Sequence, residues 1–271
     1  MDWNAMAAPW LTVEAATDVA HSPVLRGILD RAGLQSGQSV LDIGPGGGIS
    51  LIHAAQAVGP DGAVTGVEIA PPFAARARER VPDHVDVVVA DAQDHAFEPE
   101  RHDAAISLFG VMFFRDPVSA FANIRTAMKP GATLTFGCWG PPAQNPWFAM
   151  PAQVASSVFG PGPAFDPDRP GPMSFAEPDK IDGILRAAGW MPEIESVDLH
   201  LTPEGTPEQV ADLHMTIGAA VSRMDQAREA GALQPDQADT IRAGLVDGFA
   251  AMMQDEGVRV PARIHFVRAR A

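Results

Sequence analysis

Three carboxylates and a run of glycines are the residues whose types and spacing are best suited to chemistry. In VLDIGPGGGIS, residues 40–50, Asp42 stands just before four glycines in five positions. Gly44, Gly46 and Gly48 let a backbone turn tightly and approach a ligand with no Cβ in the way. The helix expected next would aim its first N–H groups at the same place, which favours an anionic group. Glu68 lies 24 residues after Gly44, at the end of a second strand-like run, where a carboxylate can accept from both ribose hydroxyls. Asp91, in VVVADAQD, follows a third such run and can accept from an adenine amino group. Three acids at the ends of three neighbouring strands, beside one glycine turn, make a nucleoside-binding set.

Two ligand classes compete for that turn. A dinucleotide site wants G-x-G-x-x-G, but the sixth position counted from Gly44 is Ile49. Asp42 would also repel a pyrophosphate, whereas a ligand with a positive amino group would be attracted to it. The pattern favours an amino-acid-bearing nucleoside over a nicotinamide dinucleotide.

The elements that must position these residues alternate. QSVLDIG (38–44), GAVTGVEI (62–69), VDVVVAD (85–91), HDAAISLF (102–109) and ATLTFGCW (132–139) read as strands. ISLIHAAQAV (49–58) and PPFAARARERV (71–81) read as helices between them, and a third helix is capped by Asp116 with Pro117 at its first position, ending at Lys129-Pro130-Gly131. Such alternation means right-handed crossovers and a parallel sheet with helices on both faces. Residues 140–177 are proline-rich and read as a covering loop with one short helix near PAQVASSVF. Beyond them come a helix in 177–189, a strand in 193–201, helices opened by a capping box at Thr206 and Gln209, and a final strand in VRVPARIHFVRA. Four arginines in that last segment, Arg259, Arg263, Arg268 and Arg270, read as a solvated sheet edge.

Composition narrows the function classes. The chain has 271 residues, a formal net charge of −15 and only 19 basic residues, so a nucleic-acid partner, which needs a basic footprint, is disfavoured. One cysteine, Cys138, allows neither a disulfide framework nor a cysteine metal cluster, and no metal site is expected. No run approaches the ~20 apolar residues of a membrane span, and the start lacks a signal-peptide pattern. A cytoplasmic protein is the expectation.

The D-x-G-x-G-x-G turn, the acid ending the second strand, ADAQD after the third and AMKPGATLTFGCW at the fifth together resemble a class I S-adenosylmethionine-dependent methyltransferase. The likeness is to the small-molecule branch related to the ubiquinone/menaquinone C-methyltransferases, over roughly residues 38–139. It implies a Rossmann-like, doubly wound α/β fold with a seven-stranded sheet, an antiparallel last strand and helical lid insertions, forming a single methyltransferase domain over 1–271. Its parts would be an N-terminal helical lid (1–37), a cofactor core (38–139), the proline-rich loop (140–177), and C-terminal core strands (178–271) with helices inserted over 203–257. The cofactor implied is S-adenosyl-L-methionine. Asp42, Gly44, Pro45, Gly46 and Gly48 would hold its methionine moiety, Glu68 its ribose, and Asp91 with Ala92 its adenine; Ile69 and Phe109 would border it. Pro45 stands where many members have Cys or Ala, and Glu68 where Asp is commoner.

Methyl transfer from a sulfonium is an in-line displacement, for which the protein supplies position and a dry site. FGVMFF (109–114) is apolar where a loop would be polar, so Met112, Phe113 and Phe114, with Trp147, are the expected pocket for a small apolar or aromatic acceptor. Trp10 is the expected lid over the cofactor. The chain has no tyrosine, which leaves histidine as the natural base; His214 is selected because the inserted helices should roof the acceptor. Two alternatives stand beside the enzyme: a protein that binds the cofactor or its demethylated product without chemistry, and an NAD(P)-dependent oxidoreductase.

Overall fold

The computed structural model describes residues 2–162 and 166–271. Helices α1 (Trp3–Thr12) and α2 (Glu14–Ala32) come first. The chain then alternates through β1 (Ser39–Ile43), α3 (Ile49–Val58), β2 (Ala63–Glu68), α4 (Pro71–Arg80), β3 (Val85–Val89), β4 (His102–Leu108), α5 (Pro117–Thr126) and β5 (Met128–Trp139). It continues with α6 (Pro146–Phe159), α7 (Pro178–Ala187), β6 (Met191–Leu201), α8 (Pro207–His214), α9 (Ala219–Glu229) and α10 (Gln237–Ala250). A short hairpin of β7 (Met253–Gln254) and β8 (Gly257–Val258) leads into β9 (Val260–Arg270). No described helix is long and apolar enough to cross a membrane.

Seven strands form one sheet in the order β3-β2-β1-β4-β5-β9-β6. The first four pairings are parallel and β9 runs antiparallel to both its neighbours, the doubly wound arrangement expected. The strand order reverses between β1 and β4, so the carboxyl ends of these two strands diverge there and leave a crevice. Val24 and Ile28 of α2 cover Gly137 on one face of β5. On the other face the Phe136 ring stacks on Phe121 of α5, and Phe175 lies against both.

Three features differ from the sequence reading. Lys129-Pro130-Gly131 belongs to β5 rather than to a helix end, with a register irregularity between His102 and Ala104 where the pairing begins. The proline-rich stretch holds a 14-residue helix, α6. Pro146 at its first turn needs no N–H partner, and the buried amide of Asn145 anchors its start by donating to Gly140 O at 3.0 Å and accepting from Arg263 N–H at 3.1 Å. Pro163, Ala164 and Phe165 of that stretch lie outside the described residues. Finally, β9 is an interior strand, and its arginines are not at an edge: Arg263 pairs with Asp198 on β6, the true edge strand, and Arg259 with Glu256.

The crevice depends on close backbone contact between β1 and β4. Ser107 Oγ donates to Ile43 O at 2.6 Å and accepts from Gly110 N–H at 3.1 Å. A Cβ on Gly110 would stand 2.5 Å from Ile43 O and 3.1 Å from Gly44 Cα. Both obstacles are backbone and cannot rotate away. Gly110→Ala is therefore expected to destabilise the protein by about 1–3 kcal/mol, the range of an overpacked site, read as a lowered urea midpoint. An unchanged midpoint would mean that the two strands are free to separate.

Candidate functional site

The glycine turn sits where the topology reverses. Gly44, Gly46 and Gly48 adopt φ of +65°, +55° and +95°, a region costly for any residue with a Cβ. Pro45 is buried between them, and its ring lies beside Gly66 of β2. Asp42, next to last in β1, is fully buried, and neither carboxylate oxygen has a hydrogen-bond partner. Burial pushes its carboxyl up to about 7; the nearby Ser50 hydroxyl, which does not reach hydrogen-bonding geometry, opposes the shift and the Glu68 charge reinforces it. A buried acid left this way is destabilising unless something cationic or hydrogen-bonding meets it.

Glu68 ends β2 and reaches back to the turn. Its oxygens accept from Gly46 N–H at 3.0 Å and Ala70 N–H at 2.9 Å. Burial raises its pKa, while these two N–H groups and that of Ile69 draw it down. Each oxygen keeps a further lone pair for a ligand hydroxyl. The Ile69 side chain is 47% exposed, an apolar surface standing beside that carboxylate. Asp91 lies two residues past β3 rather than at its end; it accepts from Gln93 N–H at 2.9 Å, and Arg115 is 4.0 Å away. Ala92 is buried next to it. An unsatisfied carboxylate at a glycine cradle, a second carboxylate with spare acceptor capacity and an apolar neighbour suit an aminoacyl nucleoside, so these residues fit S-adenosylmethionine.

The N-terminal helices close over this turn. Arg80 of α4 pairs with Glu14 at 2.9 Å and Asp18 at 2.7 Å on α2, and donates to Gly47 O at 3.0 Å. Arg76 pairs with Glu14 at 2.8 Å. A Cβ on Gly47 would overlap Glu14 Oε1, so this latch requires glycine there. Trp10 is half-buried on α1, beside Ala7, Ala70 and Phe73, with its indole Nε1 buried and unpartnered. Trp3 meets the Phe113 ring edge-on at 4.8 Å.

Beside the turn, at the ends of β4 and β5, lies an aromatic cluster. Phe109 holds φ +63°, unusual for a bulky residue, and this lays its ring on Trp139, 4.3 Å apart and nearly parallel. His21 of α2 stands edge-on to Phe109 at 5.2 Å, Trp139 at 5.7 Å and Trp147 at 5.7 Å. His214, the last residue of α8, lies 4.4 Å from Trp147 and 5.0 Å from Phe249.

The expected pocket residues are thus not all brought together. Trp147 and His214 meet in this cluster. Phe113 faces α1, Phe114 turns to Phe121 at 5.9 Å, and Met112 is buried in the core. His21, Trp139 and Phe148 join the cluster as well; the sequence marks Trp139 as one of four tryptophans able to close the site from above and His21 only as one of eight histidines, while nothing local marks Phe148.

Comparison with known proteins agrees with this geometry. The family model described as "Methyltransferase domain" matches residues 41–136. The chain is 32% identical over 190 residues to nocamycin O-methyltransferase of Saccharothrix syringae, covering 66% of this chain and 67% of that one. It is 31% identical over 119 residues to aklanonic acid methyltransferase DauC of Streptomyces sp. (strain C5), covering 42% and 54%. Among solved structures, a SAM-dependent methyltransferase from Aquifex aeolicus superposes with a TM-score of 0.52 at 19% identity, over 69% of this chain and 90% of that chain.

Asp42 also sets a pH dependence. Its folded pKa, about 7, lies above its ordinary value of 3.8, so its contribution to stability is fully present at low pH and is lost as pH rises through about 7. Stability of the cofactor-free protein should therefore fall between about pH 4 and 7, with a slope from this group of at most about 1.4 kcal/mol per pH unit, and level off above that. Asp42→Asn should flatten that slope in denaturant titrations across the range; equal slopes in the two proteins would show that Asp42 ionises without penalty.

Proposed function

Because the chain belongs to the S-adenosylmethionine-dependent methyltransferases, we propose that it transfers a methyl group to an oxygen atom of a small apolar or aromatic molecule. Bound in the crevice, S-adenosylmethionine supplies a methyl group already activated for in-line displacement. In this reading Asp42 and the turn of Gly44, Pro45, Gly46 and Gly48 hold the methionine moiety. The ionised Asp42 carboxylate faces the amino group, which gives it the partner it lacks. Glu68 accepts from the ribose hydroxyls, Ile69 lies against the base, and Asp91 with Ala92 borders the adenine. Trp10 covers the cofactor and Phe109 stands between it and the acceptor.

The observation that carries the reading is the aromatic cluster of Phe109, Trp139, Trp147 and His21 at the carboxyl ends of β4 and β5. Flat apolar walls and few polar atoms select an acceptor with an aromatic or apolar body. His214 forms part of the roof from α8. Oxygen is preferred over carbon, the target in the ubiquinone/menaquinone branch, because the relative matched over two thirds of its length is named an O-methyltransferase. The second curated relative is named for an acid substrate, which also places an acidic oxygen among the acceptors to test.

The test is methyl transfer from labelled S-adenosylmethionine to a panel of phenols, enols, carboxylic acids and amines, with the product's methyl position read by mass spectrometry. Methyl ethers or esters of apolar acceptors are expected. Tight cofactor binding with no transfer to any oxygen would instead support a binding protein. In calorimetry, Glu68→Ala should weaken S-adenosylhomocysteine binding by about 10- to 100-fold, the loss of hydrogen bonds to a charged group. An unchanged Kd would remove Glu68 from the ribose site.

A further inference from the structure

The structure sorts the eight histidines by what their rings meet. His53, His84 and His200 are exposed, and His95 lies against Phe97. His102 is hydrogen-bonded to Ser39, and His265 to Ser196 and the Ala176 carbonyl. His21 and His214 remain. Both are buried and both have an Nε2 with no partner. They come from helices nearly two hundred residues apart in sequence, yet they flank the same tryptophan, Trp147. A buried nitrogen without a hydrogen bond is destabilising, because its desolvation is not offset. Two of them around one ring are poor filling for an apolar core, where Phe or Leu would pack without that cost.

The pair is not symmetric with respect to the crevice. His21 touches Phe109 and Trp139, the residues at the ends of β4 and β5. His214 lies against Trp147 and Phe249 and makes neither contact. The titratable group facing His21 is His214; the other rings around it, those of Phe109, Trp139 and Trp147, carry no charge.

We propose that His21 is a catalytic residue of this chamber: it contacts the acceptor hydroxyl and takes up its proton as the methyl group arrives. The proposal rests on the oxygen-methylation reading above. The acceptor oxygen's lone pair forms the new O–C bond, the electron pair of the broken S–C bond stays on sulfur, and the hydroxyl proton moves to His21 Nε2. One positive charge enters the step on the sulfonium and one leaves it on the imidazolium, so the buried site never gains net charge. Burial holds the His21 pKa down to about 4 and that of His214 to about 3, so both rings are neutral at pH 7 and ready to accept. A hydroxyl more acidic than an alkanol's gives up its proton more readily, so phenols and enols are the acceptors favoured. The proton then passes from His21 to water after product leaves.

Two measurements test this. In turnover with a phenol from the panel, His21→Gln should lower kcat by about 100-fold or more, the usual weight of a general base. His214→Gln should lower it less than tenfold, and both variants should bind S-adenosylhomocysteine within about threefold of wild type, which shows that they fold. Independently of turnover, 15N-histidine spectra of the protein with S-adenosylhomocysteine should be titrated with 4-nitrophenol and with 4-nitroanisole. The phenol should move the Nε2 resonance that disappears in His21→Gln, and the anisole, which has no hydroxyl, should not. A phenol response absent at His21, or wild-type kcat in a folded His21→Gln, would overturn the proposal. A clear response at His21 with no methyl transfer to any oxygen would keep the contact and overturn the methylation reading instead.

Discussion

The hydroxyl of Ser107 is the small interaction on which much of the rest depends. By bonding to Ile43 O and Gly110 N–H, it holds the ends of β1 and β4 together at the place where the sheet reverses its order. The glycine turn leaves on one side of that point and Phe109 on the other. Gly44 and Gly110 can lie backbone to backbone because neither has a Cβ. The glycine turn and the aromatic cluster are thereby fixed relative to each other, a rigidity that two groups meeting in one reaction would need.

Unsatisfied polar atoms are concentrated around this junction. Asp42, Trp10 Nε1, His21 Nε2 and His214 Nε2 are buried without partners, and Glu14 Oε1 has only its ion pair with Arg80. Thr135 and Arg268 are the other such sites among the described residues, and they face each other across the β5–β9 pair. Other buried polar groups are met: Asn145 by four backbone groups, Ser174 by Met112 O, the Trp190 indole by Phe121 O. Most of the unsatisfied polar atoms among the described residues lie around this junction, where a bound ligand could meet them.

The glycine turn and the strand-end positions of Asp42 and Glu68 are legible in the sequence because that information is local. Asp42 and the glycines are consecutive, Glu68 ends a strand whose period is readable, and each helix of the alternating stretch has its own cap or proline. The chamber was not legible, because it is assembled from α2, the end of β4, the end of β5, α6 and α8. No spacing rule links His21 to Phe109, Trp139 or Trp147. Apolar FGVMFF was correctly seen as unusual for a loop, but its side chains disperse, since a short 3-10 turn at Val111–Phe113 sends neighbouring residues in different directions. A short helix near PAQVASSVF is expected within the proline-rich 140–177; Pro146 in a first turn and the anchoring amide of Asn145 start it earlier and make it longer.

The position of β9 has a consequence for how such a chain is made. β9 lies between β5 and β6, pairing with seven residues of one and eleven of the other. During ribosomal synthesis β3, β2, β1, β4 and β5 can align as they emerge, yet β6 must wait for a partner that begins at Val260, after α8, α9 and α10 have all been added. The parallel part of the sheet therefore has all its strands well before the antiparallel part does, and closing the sheet with β9 is a late, long-range step.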